Sequence, residues 1–152
     1  MAGRNFFLDK SDPASRRALN GLALKVGEAA ESAGLPKSVM ELVSVRISQL
    51  NGCAFCLDLH VPRAREAGVS DQQLALLPAW RESAVFTETE RAALTIGEAT
   101  TELGDPDNLA ANMSAARAAL TDAQYSAIQW AAITMNAFNR VSILSRHPVR
   151  PR

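Results

Sequence analysis

An all-α fold follows from three features of the sequence. Straight-chain helix formers and Ala dominate, apolar residues recur at helical spacing, and three Ser/Thr-x-x-Glu/Gln capping boxes occur in succession. Only 8 Gly and 7 Pro punctuate 152 residues, aromatics are 5%, and no segment alternates apolar and polar residues long enough to make a strand. The length suits one domain with its own core, and no linker, repeat or low-complexity tract divides it, so residues 1–152 are expected to form a single domain.

Asp12 and Pro13 open the first helix as N-cap and first helical residue. Leu19, Leu22, Ala23 and Val26 give it an apolar face, and Gly34 stops it. Pro36 is expected to start the second helix in the same way. Its stripe is Val39, Leu42, Val43, Ile47 and Leu50, and Asn51-Gly52 ends it because both residues tolerate positive φ. A third helix runs from about Cys53 to Ala67, with Gly68 beyond it and Pro62 expected to kink or break it. The capping boxes Ser70/Gln73, Thr87/Glu90 and Thr121/Gln124 predict helices over 71–77, 88–103 and 122–145, and a weaker signal covers 108–119.

The balance of 16 Lys+Arg against 16 Asp+Glu gives no electrostatic footprint for nucleic acid or an anionic membrane. Hydrophobic residues at 47% and charged residues at 21% exclude wholesale disorder. No apolar run approaches the roughly 18 residues of a membrane span, and the stretch from Met1 to Asp9 is too short for a secretion signal. A soluble cytoplasmic protein is the expectation.

Both cysteines lie in one motif, Cys53-Ala54-Phe55-Cys56, followed by His60. On a helix these positions are spaced i, i+3 and i+7, so the three side chains share a face. The motif sits at a helix start, where free N–H groups favour an anion, and cysteine pKa values fall to roughly 3.5–7.5 in such settings. A CxxC pair with a neighbouring imidazole fits two-electron thiol–disulfide chemistry. Two other readings of the residues stand beside it. Cys53, Cys56 and His60 with Asp58 or Glu41 could make a zinc site, although no second CxxC exists. Free cysteines are also ordinary small core residues. Glu41 falls beside the second helix's stripe, near Ser44, Val45 and Ser48, where position alone makes it a solvated carboxylate.

The segment Glu41-Leu42-Val43-Ser44-Val45-Arg46-Ile47-Ser48-Gln49-Leu50-Asn51-Gly52-Cys53-Ala54-Phe55-Cys56-Leu57-Asp58-Leu59-His60 resembles the alkylhydroperoxidase AhpD-like branch of the carboxymuconolactone decarboxylase superfamily. The signature there is a glutamate, eleven residues, CxxC, three residues and a histidine. Phe86–Leu94 and Asn136–Arg140 are similar to the family too. The resemblance implies an all-α AhpD-like bundle in which an antiparallel helix pair carries the Glu and CxxC…His motif, assembled as a homo-trimer or homo-hexamer. It implies a thiol-dependent peroxidase. Cys56 would attack the peroxide, Cys53 would resolve the sulfenic acid into a disulfide, and Glu41 would draw off the Cys56 proton through His60 and a water. The substrate would be a small organic or hydrogen peroxide. The reductant would be a dithiol, in the family a lipoylated adaptor protein, with no bound cofactor or metal. Phe55 stands where some family members have histidine. The decarboxylase branch acts on a lactone acid and does not need the CxxC pair, so that reaction is disfavoured. A disulfide reductase and a non-catalytic oligomeric redox sensor are the alternatives.

Of the remaining residues, His147 in Arg146-His147-Pro148 reads as exposed tail, and Arg146, Arg150 and Arg152 are too few for nucleic-acid binding. Trp80 and Trp130 read as core or subunit-contact anchors. Asn136, Asn139 and Arg140 are expected at a subunit contact, with a carboxylate partner needed for a buried arginine. Asp58 is expected to be exposed or paired with an arginine.

Overall fold

The computed structural model describes residues 4–152; Met1, Ala2 and Gly3, where the stretch read for a secretion signal begins, lie outside the described residues. Among the described residues the elements are α1 (Leu8–Ser11), α2 (Pro13–Ser32), α3 (Lys37–Asn51), α4 (Ala54–Glu66), α5 (Asp71–Leu76), a 3₁₀ segment (Leu77–Glu82), α6 (Glu88–Thr101), α7 (Pro106–Ala118) and α8 (Asp122–Ser145), with no strand. Among the described residues no helix is long and apolar enough to cross a membrane.

The local signals determine where these helices start. Asp12 accepts a hydrogen bond from the Ser15 N–H at 3.1 Å, with Pro13 in the first helical position. All three capping boxes form with both of their hydrogen bonds. Asp105 accepts from the N–H groups of Asp107 and Asn108, so α7 begins at Pro106, ahead of the expected 108. Pro36 differs from expectation. It is the extended N-cap of α3, and Lys37 is the first helical residue. The short α1 has no capping side chain and too few residues for a period, and nothing in the sequence announces it.

Pro62 lies within α4, which runs through it as one helix. Its missing N–H frees the carbonyl of Asp58, four residues earlier. Arg152 takes up that carbonyl at 3.2 Å and the Asp58 carboxylate at 2.9 Å, so the far end of the chain repairs the defect and Asp58 gains the arginine expected for it.

α3 lies at the centre, against α4, α6 and α8. It therefore buries two faces where the sequence predicts one stripe. Val39, Val43 and Ile47 enter one core cluster with α6 and α8, while Leu42 and Val45 enter another with Trp80, Phe86 and Leu94. Leu50, counted in the predicted stripe, is only half-buried. Close approach of α3 and α6 needs Gly97, because a Cβ there would lie 3.3 Å from Val43 Cγ1. α2 packs mainly on α8, so only Val26 of its predicted face is fully buried, while Leu19, Leu22 and Ala23 are half-exposed. Trp80 is core, donating to Glu98 at 2.8 Å, and Trp130 is 51% exposed. Burial opposes the charge on Glu98. Hydrogen bonds from Trp80, Arg81 and Arg46 outweigh it and hold the carboxyl below its usual range.

A ladder of amides joins the end of α3 to α8. Asn51 Nδ2 donates to Asn136 Oδ1 at 2.9 Å and Asn139 Oδ1 at 3.0 Å, and Asn139 Nδ2 donates to Ser48 Oγ at 3.2 Å. Asn136 and Asn139 are thus partners inside the chain. Arg140 differs from expectation: it is exposed and donates to Asn136, so no carboxylate is required. Asn139 is fully buried, and truncating it strands the groups it satisfies. Asn139→Ala is expected to cost about 2 kcal/mol, a fall in melting temperature of roughly 4–8 °C for a chain of this size. Thermal unfolding followed by circular dichroism checks this.

Candidate active site

The turn between α3 and α4 is where the site is made. Asn51 ends α3, and Gly52 adopts φ 67°, ψ 35°, a left-handed conformation that glycine enters without steric cost. The Cys53 N–H returns to the Ser48 carbonyl at 3.0 Å, which reverses the chain within two residues. With Asn51 also held by α8, the position of Cys53 is fixed from the backbone and from a side chain.

Cys53 is the N-cap of α4. Its sulfur accepts the Cys56 N–H at 3.4 Å, in the role usually played by a Ser or Asp oxygen. The two sulfurs are therefore neighbours across one helical turn. Both are reduced and buried, at 1% and 4% exposure, within the apolar cluster of α3, α6 and α8. This burial alters the chemistry expected of Cys53. A helix start was expected to lower a thiol pKa, yet at Cys53 loss of solvent and the adjacent Cys56 sulfur push the thiol up to about 12, more than the Cys56 N–H can offset.

His60 lies one turn beyond Cys56 on the same face of α4. Its Nδ1 is 2.8 Å from Glu41 Oε2, across the α3–α4 interface, and the two side chains are only 14% and 21% exposed. Glu41 is thus an anchored partner in direct contact with the imidazole. With Glu41 ionised, the proton between them sits on Nδ1, and Nε2 keeps the lone pair. A thiol, an imidazole one turn away and a carboxylate on that imidazole are the residue types from which a nucleophile–base–orienter series is built.

The structure pairs the four residues singled out in the sequence, Cys53 with Cys56 and Glu41 with His60, and Cys56 and His60 lie one turn apart on α4. It does not gather them as metal ligands: among the described residues no three His, Cys, Asp or Glu side chains converge as a metal site. It also adds a residue read as exposed tail. His147 is only 10% exposed in its side chain and meets Phe55, the residue before Cys56 in sequence, with ring centroids 5.0 Å apart. No periodicity or capping signal points to it, because its partners lie at the opposite end of the chain.

The carboxymuconolactone decarboxylase family matches residues 13–99, from the start of α2 through most of α6, a span that contains the whole site. The chain belongs to this family. Within it the chain is AhpD-like. A crystal structure of an Agrobacterium tumefaciens protein of unknown function, described there as a candidate antioxidant defence protein AhpD, superposes with a TM-score of 0.85 at 32% identity, covering 97% of this chain and 99% of that one. The uncharacterized protein YdfG of Bacillus subtilis is 33% identical over 116 residues, 74% of this chain and 77% of that protein. The alkyl hydroperoxide reductase AhpD of Bradyrhizobium diazoefficiens is 35% identical over 72 residues, 47% of this chain but only 38% of that protein. The all-α AhpD-like fold expected from the sequence is the fold observed.

The raised Cys53 thiol has two consequences. Near pH 8, iodoacetamide should label Cys53 in the folded reduced protein roughly tenfold or more slowly than in the urea-unfolded chain, since only the thiolate reacts; peptide mass spectrometry reads the rate at that residue. A thiol raised from its ordinary value of 9.0 to about 12 binds its proton more tightly in the folded state. It therefore favours folding fully below about pH 9, and that contribution is lost as pH rises towards 12. Urea unfolding should show the reduced protein losing more stability over this interval than Cys53→Ala, and equal slopes would refute the assignment.

Proposed function

We propose that residues 1–152 act as one AhpD-like domain, a thiol-dependent peroxidase with Cys56, Cys53, His60 and Glu41 as its catalytic residues. The observation that carries the proposal is the 2.8 Å Glu41–His60 contact, which orients an imidazole one turn from Cys56. A solvated glutamate would leave that imidazole unoriented.

In this reading, His60 Nε2 takes the Cys56 proton and Glu41 stabilises the resulting imidazolium. The thiolate attacks the distal oxygen of the hydroperoxide and the O–O bond breaks. The imidazolium proton goes to the departing alkoxide, leaving Cys56 as a sulfenic acid and releasing an alcohol, or water from hydrogen peroxide. Cys53 keeps its proton through this step, since its thiol is pushed up to about 12. Its sulfur then condenses with the sulfenic acid, releasing water and forming the Cys53–Cys56 disulfide. An external dithiol, such as a lipoylated adaptor protein, attacks the disulfide and is itself oxidised as the two thiols return. Repeated re-reduction fits a reducing, cytoplasmic setting. Association as a homo-trimer or homo-hexamer belongs to the same proposal and is supported by Trp130 and Ile133, which α8 turns outward.

The near-complete burial of both sulfurs favours a second reading, a sensor that oxidises once and changes its contacts. Turnover separates the two. With a dithiol reductant in excess, Cys56→Ser should abolish peroxide consumption, and Cys53→Ser should stop after one equivalent with a sulfenic acid on Cys56. Glu41→Gln should lower the rate by roughly 10²-fold or more while the fold persists, the scale of a general-base contribution. Peroxide consumption that survives loss of Cys56 refutes the proposal; a single equivalent consumed by the native protein establishes the sensor.

A further inference from the structure

The two ends of the chain meet over the first turn of α4. His147 follows α8, whose C-cap Arg146 takes the left-handed conformation at φ 51° and turns the chain back. The His147 N–H donates to the Ser142 carbonyl at 3.1 Å, and its Nδ1 lies 3.2 Å from Ser142 Oγ. Its Nε2 lies 2.9 Å from Asp9 Oδ1, in α1, and the Leu8 N–H donates to Ser145 Oγ at 2.9 Å. The imidazole stacks on Phe7 on one side, centroids 5.6 Å apart at 16°, and meets Phe55 at 5.0 Å and 51°. Phe55 is the residue immediately before Cys56.

A side chain fixed at both ring nitrogens and sandwiched between two aromatic rings has little freedom left. Phe55 is half-exposed and, unlike Cys53 and Cys56, belongs to neither apolar cluster, so His147 is its aromatic neighbour. Arg152, holding the Asp58 carbonyl and carboxylate, fastens the same tail one turn further along α4. The tail thus contacts α4 on both sides of Cys56 in sequence.

We propose that His147 is a positioning residue for the dithiol: anchored by Asp9 and Ser142, it braces Phe55 and thereby sets the geometry of the turn that carries Cys53 and Cys56. The inference rests on the dithiol reading of the site and adds a component from outside the Glu41–Cys53–Cys56–His60 motif. Bracing acts on whichever form of the CxxC turn fits the clamp, so releasing it changes both the reactivity of Cys56 and the balance between dithiol and disulfide.

The test uses the full chain and two readouts, the rate of Cys56 labelling by iodoacetamide across pH and the Cys53–Cys56 equilibrium in glutathione buffers. His147→Leu and Phe55→Leu should each shift both readouts by about threefold or more, in the same direction, and the double variant should match either single variant because they break one shared contact. Asp9→Asn, which loses the charge but keeps an acceptor, should fall between native and His147→Leu. Shifts that multiply in the double variant, or single shifts within about 1.5-fold, overturn the proposal. Should His147→Leu fail to fold, His147→Gln in its place keeps polar anchors, removes the ring and carries the same comparison. If the native protein forms no Cys53–Cys56 disulfide, the peroxidase reading falls, while the labelling rates still decide the brace.

Discussion

The contact between Glu41 and His60 constrains everything else at the site. It joins side chains 19 residues apart on adjacent helices, and it exists only because α3 and α4 reverse within two residues. A longer connection would leave the register of the helices free, and a shift of one residue would turn Glu41 away from the imidazole. Gly52 supplies the left-handed conformation for the reversal, and the amide ladder from Asn51 to Asn136 and Asn139 ties that corner to α8. A partly buried carboxylate is costly when it loses its hydrogen-bond partner, and so is a partly buried imidazole. Each offsets the other, and the cost of separating them holds the hairpin in register.

The sequence is most legible where the physics is local. Capping boxes and Asp-Pro starts involve residues three apart, so the starts of α2, α5, α6 and α8 can be read directly, and α8 spans the predicted 122–145. The motif was legible for the same reason, since CxxC followed by His60 is one stretch of helix. Glu41 was not legible by periodicity, because its partner lies on another helix; its role came from resemblance, and the structure supplies the contact. Least legible was the joining of the chain ends. His147 with Asp9 and Leu8 with Ser145 are separated by 138 and 137 residues, and short tails carry no period. Pro62 sits between these cases. Its defect is visible in the sequence, but the repair by Arg152 is not.

α3 shows how tertiary position overrides a one-face pattern. Its predicted stripe is real, yet Val45 and Ser48, outside that stripe, are also buried because neighbours surround the helix. Ser48 is tolerated there because its hydroxyl donates to the Ser44 carbonyl at 2.7 Å and accepts from Asn139. α2 shows the reverse. Packed on fewer sides, it leaves much of its apolar face open, and Leu24 is among the exposed residues.

The burial of the sulfurs looks at first like an argument against thiolate chemistry, because an apolar surround penalises a lone charge. The penalty applies to a charge created alone. In the proposed reaction the proton moves from Cys56 to an imidazole one turn away, so a thiolate and an imidazolium appear together and the total charge of the group does not change. Attraction between such charges grows as the effective dielectric falls, so the burial that raises the cost of the thiolate also strengthens its pairing. Glu41 lies against the far side of the ring, 2.8 Å from Nδ1, and in that reaction stabilises the imidazolium as it forms. Cys53 has no such partner, and its thiol is the one pushed up to about 12. In the proposed reaction Cys56, one turn from His60, is the sulfur that hands its proton to the imidazole, and Cys53 is left to resolve the sulfenic acid.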